Sequence, residues 1–170
     1  MAPVSALSDT GALCYYKDMF LTPHTSAAIW ISTRVTDPVL GFAFGLISHF
    51  ILDIIPHGDE DLGSHKKTKR GRFIYLVKVA TVDTILSVAL IYFYVTRHQD
   101  YNRQVMAGAV LGAWLPDLAW ITIENFKMTA MYWYVVWHGR IHNAFNWRYS
   151  PVYGVPFQII VTLLIIRISF

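Results

Sequence analysis

The chain is poor in charge. Its 14 Lys+Arg and 11 Asp+Glu make up 15% of 170 residues, against about 25% in soluble domains, too few to coat an ordinary globule. A single cysteine, Cys14, excludes an intrachain disulfide framework and leaves the redox compartment open. There is no repeat at a fixed period, which excludes a solenoid. Also missing are a P-loop, a Gly-x-Ser-x-Gly elbow, a His-Glu-x-x-His helix and the Pro-Ser-Gly-His of membrane acid phosphatases. Seven histidines are too few for the paired sets of a membrane di-iron desaturase. What the chain does have is 55% hydrophobic and 15% aromatic residues and a mean hydropathy of +0.40. That balance defines an integral membrane protein of one domain. A net charge of +3 is ordinary for such a protein, and nucleic acid is not expected as a partner.

Residues 1–18 have neither an apolar core nor a basic start, so they are not a secretory signal; they are expected to form a mobile extension before a membrane-embedded domain of residues 19–170. Four apolar stretches follow, at 39–56, 73–95, 105–123 and 153–170. At about 1.5 Å per residue, such runs reach roughly 27–35 Å, the thickness of a hydrocarbon layer. A short helix over 26–34 is expected ahead of the first, and an aromatic segment over 129–147 lies near the interface or covers the bundle. The predicted fold is therefore all-α: a polytopic transmembrane bundle of about four to five long helices. Loop 58–72 carries Lys66, Lys67, Lys69, Arg70 and Arg72. The positive-inside rule puts it on the cytoplasmic side, probing the headgroups of an inner membrane.

Ionisable residues interrupt the apolar runs. Such a side chain at membrane depth costs about 2.5–3.5 kcal/mol on insertion scales, so it is expected to face the protein interior with a partner. His49 and Asp53 stand four apart and share one helix face, and His57 lies another four on. His138 and His142 repeat the spacing, Asp117 follows Pro116 in LPD, and Asp83 sits inside the third run. His/Asp pairs at i, i+4 can grip one metal ion. Gly41 and Gly45 continue the four-residue step of His49 backwards, and Gly108 and Gly112 lead to Pro116. If those small faces pack together, His49 and Asp53 are carried towards Asp117. Asp83 is expected as a base or a supporting partner, a role also open to Asp59. His65 and His98 are expected to be solvated.

TPHTSAA, GLISHFILDIIPHGD, GAWLPDLAW and HGRIHN together resemble a family of small polytopic membrane-bound metal-dependent hydrolases, distantly similar to zinc-dependent phospholipases C and related nucleases. The resemblance covers residues 19–147. It implies a helical bundle with an intrabundle metal site whose ligands are His24, His49, Asp53, His57, Asp117, His138 and His142. It also implies a phosphoester hydrolase, acting on a phospholipid or lipid-linked phosphate. Zinc suits the mixed nitrogen and carboxylate donors, as one or two ions, with manganese or iron as alternatives. Asp53, Asp117 and Asp83 are the candidates for catalytic work. The rival expectation is a non-catalytic membrane protein with a structural metal site, or one that handles metal ions or protons. The oligomeric state is left open.

Overall fold

Helix starts are written locally into the sequence. Asp37 accepts hydrogen bonds from the backbone of Val39 and Leu40 ahead of a proline at the first helical position. Thr68 accepts from Gly71, and Asn102 from Gln104 and Val105. These short polar side chains satisfy amide groups that a helix leaves open at its N-terminus. A computed structural model describes residues 20–55, 57–58, 62–142, 144 and 150–169. Among them it has α1 (Leu21–Ser32), α2 (Pro38–Ile54), α3 (Lys69–Arg97), α4 (Arg103–Asn125), α5 (Tyr132–His142, entered through a single 3-10 turn) and α6 (Pro151–Ser169), and no strand. The four apolar stretches are α2, α3, α4 and α6. The expected extension at 1–18, Asp59 and Trp147 lie outside the described residues.

Three helices, α3, α4 and α6, are long and apolar enough to cross a membrane, while α2 is apolar but only 17 residues long. α3 starts four residues earlier than its apolar run, inside the basic loop. With 29 residues it is roughly 43 Å long, more than a hydrocarbon layer needs.

The tightest pairing is α2 on α4. A Cβ built on Gly45 would stand 2.2 Å from the Ala109 carbonyl oxygen, and one on Gly112 would stand 2.1 Å from that of Phe42. Only hydrogen fits in those two places, so the backbones touch along the small-residue faces. That contact brings the last turns of α2 beside Pro116 and Asp117.

α1 differs from the expected helix at 26–34: it begins at Leu21. Pro23 falls in the first turn, where a missing N–H costs no hydrogen bond. The other amides of that turn find partners on other helices. Phe20 N–H donates to Gln158 Oε1 on α6 at 2.8 Å, and those of Leu21 and Thr22 donate to the Asp83 carboxylate on α3. Phe20 itself provides no side-chain cap. The cap comes from helices distant in sequence, which a local reading of the chain does not include. α1 packs against α2, α3, α4 and α6, and Pro23–Ile29 are all buried. Ala28 and Ile31 close on Ala109 and Ala113, and Ile29 on Tyr94 and Met106. α5 covers α4 and α2, with Val135 against Trp120 and Ile123.

Candidate metal centre

Five elements bring one residue or pair each to a common point. α1 supplies His24 from its second turn, α2 supplies His49 and Asp53 near its C-terminal end, and α4 supplies Asp117. α5 ends on His138 and His142, and His57 lies on the segment after α2. His24, His49, Asp53, His57 and His138 are all buried, and Asp117 is 7% exposed.

His49 sets the chemistry. Its Nδ1 lies 2.8 Å from the Ala113 carbonyl oxygen, which can only accept, so Nδ1 carries a proton and Nε2 is the ring atom turned towards the rest of the group. Pro116, inside the same helix, lacks the N–H that would bond the Gly112 carbonyl, so the helical ladder is interrupted one residue before Ala113. Nε2 then points at other electron-rich atoms. It lies 2.8 Å from Asp53 Oδ2, 3.5 Å from Asp117 Oδ1 and 3.3 Å from His138 Nε2. His138 Nε2 in turn lies 3.8 Å from Asp53 Oδ2 and 3.7 Å from Asp117 Oδ1.

Those separations fit a cation. A tetrahedral ion with bonds of about 2.0–2.1 Å holds its ligand atoms about 3.3–3.4 Å apart. The five distances scatter around that edge length, and donor atoms of His49, Asp53, Asp117 and His138 all fall within 4.8 Å of one another. Both Asp53 oxygens, both His24 ring nitrogens and His138 Nδ1 are buried without a hydrogen bond of acceptable geometry. Unsatisfied buried carboxylate oxygens are costly unless a cation meets them. The buried His/Asp group can thus hold a metal ion.

α1 and α5 are too short to span a membrane, and their histidines are held neutral, as metal ligands must be. Burial, with His49 alongside, lowers the His24 imidazole from 6.5 to about 4. Burial, with His142 alongside, lowers that of His138 to about 3.

Around the four-residue cage stand the remaining expected ligands. His24 Nε2 lies 3.2 Å from Asp53 Oδ1, and the His24 ring stacks on His49 at 4.4 Å between centroids. His142 Nε2 lies 2.8 Å from Asp53 Oδ2. His57 lies against His142, with ring centroids 5.7 Å apart, and its Nδ1 donates to the Ile55 carbonyl at 2.7 Å. Asp53 is therefore the hub of the group.

Asp83 is not brought into this group. Its carboxylate takes the two α1 amides and the Thr22 hydroxyl, which also lies 3.2 Å from Ser87 Oγ. It caps the helix that carries His24, which is a supporting role. His98 is stacked on Tyr94 at 4.5 Å, and His65 lies edge-on to Tyr75.

Three contributors escaped the sequence reading. The Ala113 carbonyl has no side-chain signature, although Pro116 marked the neighbourhood. Tyr134 stacks on His138 and donates its hydroxyl to the Pro116 carbonyl at 3.0 Å, but looks like one more interfacial aromatic. Gln158 was legible, as a lone amide in an apolar run, by the same reasoning that singled out the aspartates. No family model, curated protein or solved structure matches this chain.

Proposed function

We propose that the protein is a membrane-embedded metal-dependent hydrolase of a phosphoester, with a phospholipid or lipid-linked phosphate as substrate. The observation that carries the metal centre is the convergence of four buried donors, His49, Asp53, Asp117 and His138, whose ligand atoms all lie within 4.8 Å of one another. His49, Asp53, Asp117 and His138 are the inner ligands, and His24, His142 and His57 extend the donor set around Asp53. Seven nitrogen and carboxylate donors exceed the needs of one tetrahedral ion, which supports zinc as one or two ions. Bound there, a divalent cation supplies Lewis acidity to a phosphoryl oxygen and acidifies water. The chain's own residues do the rest. Ala113 fixes the His49 tautomer, and the Tyr134 ring stacked on His138 orients that imidazole. Asp117, the most exposed of the inner four, orients the attacking water and accepts its proton. The phospholipid reading rests on the resemblance and on a site that includes Asp117 of the membrane-length helix α4. The basic segment 66–72 supports a cytoplasmic-facing loop at an inner membrane.

A structural metal site is the second reading, favoured by the near-complete burial of the four inner donors, since structural sites close their coordination sphere. The test is the metal content of the detergent-purified protein, by plasma mass spectrometry, beside a His49→Ala, Asp53→Ala double variant. Stoichiometric zinc or manganese, lost in the variant, supports the centre. Its absence after chelator-free purification overturns the hydrolase. Turnover of phospholipid or phosphodiester by the loaded protein separates the enzyme from the structural site.

A further inference from the structure

Gln158 lies on α6 in an otherwise apolar run and is 1% exposed. Both ends of its amide are engaged, with backbone groups from two distant segments. Oε1 accepts from Phe20 N–H at 2.8 Å, and Nε2 donates to the His57 carbonyl at 3.0 Å. Phe20 is the residue from which α1 starts, and His24 follows it by one turn. The His57 ring is tied to the nearby Ile55 carbonyl, so whatever holds this backbone also holds the ring.

Gly154, one turn earlier on the same face of α6, makes the reach possible. A Cβ there would stand 2.1 Å from the His57 carbonyl oxygen and 2.6 Å from Gly58 Cα. Any side chain would push the segment off α6 and stretch the amide bond.

These contacts divide the His/Asp group by what supports it. His49 and Asp117 ride on α2 and α4, whose backbones touch through glycine, and His138 on the α5 packed over both. His24 and His57 are registered instead by a single amide on α6, with Asp83 holding the other α1 amides.

We propose that Gln158 is a positioning residue for the outer histidines: it holds His24 against Asp53 and His57 against His142, so that these groups take a second divalent cation beside the inner cage. The proposal rests on the metal-centre reading above. Losing the amide would leave a buried N–H and a buried C=O without their shared partner, and both segments would shift to find new ones. His24 and His57 would move with them, while the inner cage would keep its α2–α4 frame.

The experiment titrates cobalt(II) into chelator-stripped protein in detergent, following the visible ligand-field bands and bound metal per chain. Wild type, Gln158→Met and Thr162→Val are compared. Met conserves volume and removes both hydrogen bonds, and Thr162 is a buried polar residue one turn further along α6. The expected result is two equivalents for wild type and Thr162→Val. Gln158→Met is expected to keep the first equivalent with its spectrum, and to bind the second about 10–100-fold more weakly. Thermal unfolding of the stripped proteins shows whether a loss of stability alone accounts for the change. If Gln158→Met does not fold, Gln158→Asn, too short to bridge both segments, is expected to weaken the second equivalent alone. Two unchanged equivalents in the variant, equal loss of both, or one equivalent in wild type overturns the proposal. A wild type that binds no cobalt overturns the metal centre itself.

Discussion

The interior and the exterior of this bundle invert the usual distribution of residue types. At the centre lie His24, His49, Asp53, His138, Gln158, Thr25 and Ser26, all buried. On the outer faces, Val39, Ile85, Leu111, Tyr153 and Leu163 are each more than half exposed. In water such an exterior would be a liability, because large contiguous apolar patches drive association. Lipid tails are as apolar as those side chains, so a membrane removes the penalty and also removes the hydrophobic drive for helices to associate. The helices must be held by something else. Here that is close backbone contact through glycine, hydrogen bonds between helices and the polar group at the centre. The exterior therefore says where the protein resides, and the interior says what holds it together and what it can do.

The largest effect is expected at the hub. Asp53→Ala removes the carboxylate that touches His24, His49, His138 and His142. All stoichiometric metal should be lost, as mass spectrometry of the purified variant will read. Retention of a full complement would break the assignment of the interior as a metal centre.

Next comes the frame. Gly45→Ala forces a methyl group to within 2.2 Å of the Ala109 carbonyl oxygen, and the helices must part. Thermal unfolding in detergent should show a loss of about 1–3 kcal/mol, the usual cost of overpacking. Leu111→Ala, on the outer face of the neighbouring helix, should stay within about 0.5 kcal/mol. Similar losses at both positions would erase the contrast between interior and exterior.

Acid sharpens it further. The folded protein holds His24 near 4 and His138 near 3, against 6.5 for an exposed imidazole. Between those values the unfolded chain binds protons that the folded chain does not. Stability from these residues is complete above about pH 6.5 and falls on acidification, by at most about 1.4 kcal/mol per pH unit for each histidine. Melting of chelator-stripped protein at pH 7.5 and 5.5 checks the sign, and a higher melting temperature at 5.5 would contradict it.

The smallest effect is expected at the polar contact between α1 and α3. Asp83→Ala uncaps α1 at a cost of about 0.5–2 kcal/mol, without abolishing the first equivalent of metal. Loss of all metal in this variant would return Asp83 to the centre from which its hydrogen bonds separate it.

Much of this was legible beforehand for physical reasons. Membrane helices announce themselves by length and hydropathy, and an ionisable residue inside one must turn inward, so His49, Asp53 and Asp117 could be expected to converge. The i, i+4 steps from Gly41 to Gly45 to His49 to Asp53 put the close-packing face and the ligands on one stripe. α1 was harder. With 12 residues and an N-terminus capped by Asp83 and Gln158, its boundary depends on residues more than 60 and 130 positions away. The role of Asp83, base or support, was open on the same ground: a buried carboxylate needs donors, and nothing local says whether they will be histidines or the amides of a helix end.

The sequence by itself determined the solvent, the all-helical class and the candidate ligands, because those follow from composition and from spacings within single helices. The tertiary structure alone decided which ring nitrogen of His49 meets the Ala113 carbonyl, which carboxylate becomes the hub and which caps a helix. It also decided that an amide on the last helix ties down the first. Those outcomes depend on distances between elements far apart in the chain, and such distances exist only once the backbones have packed.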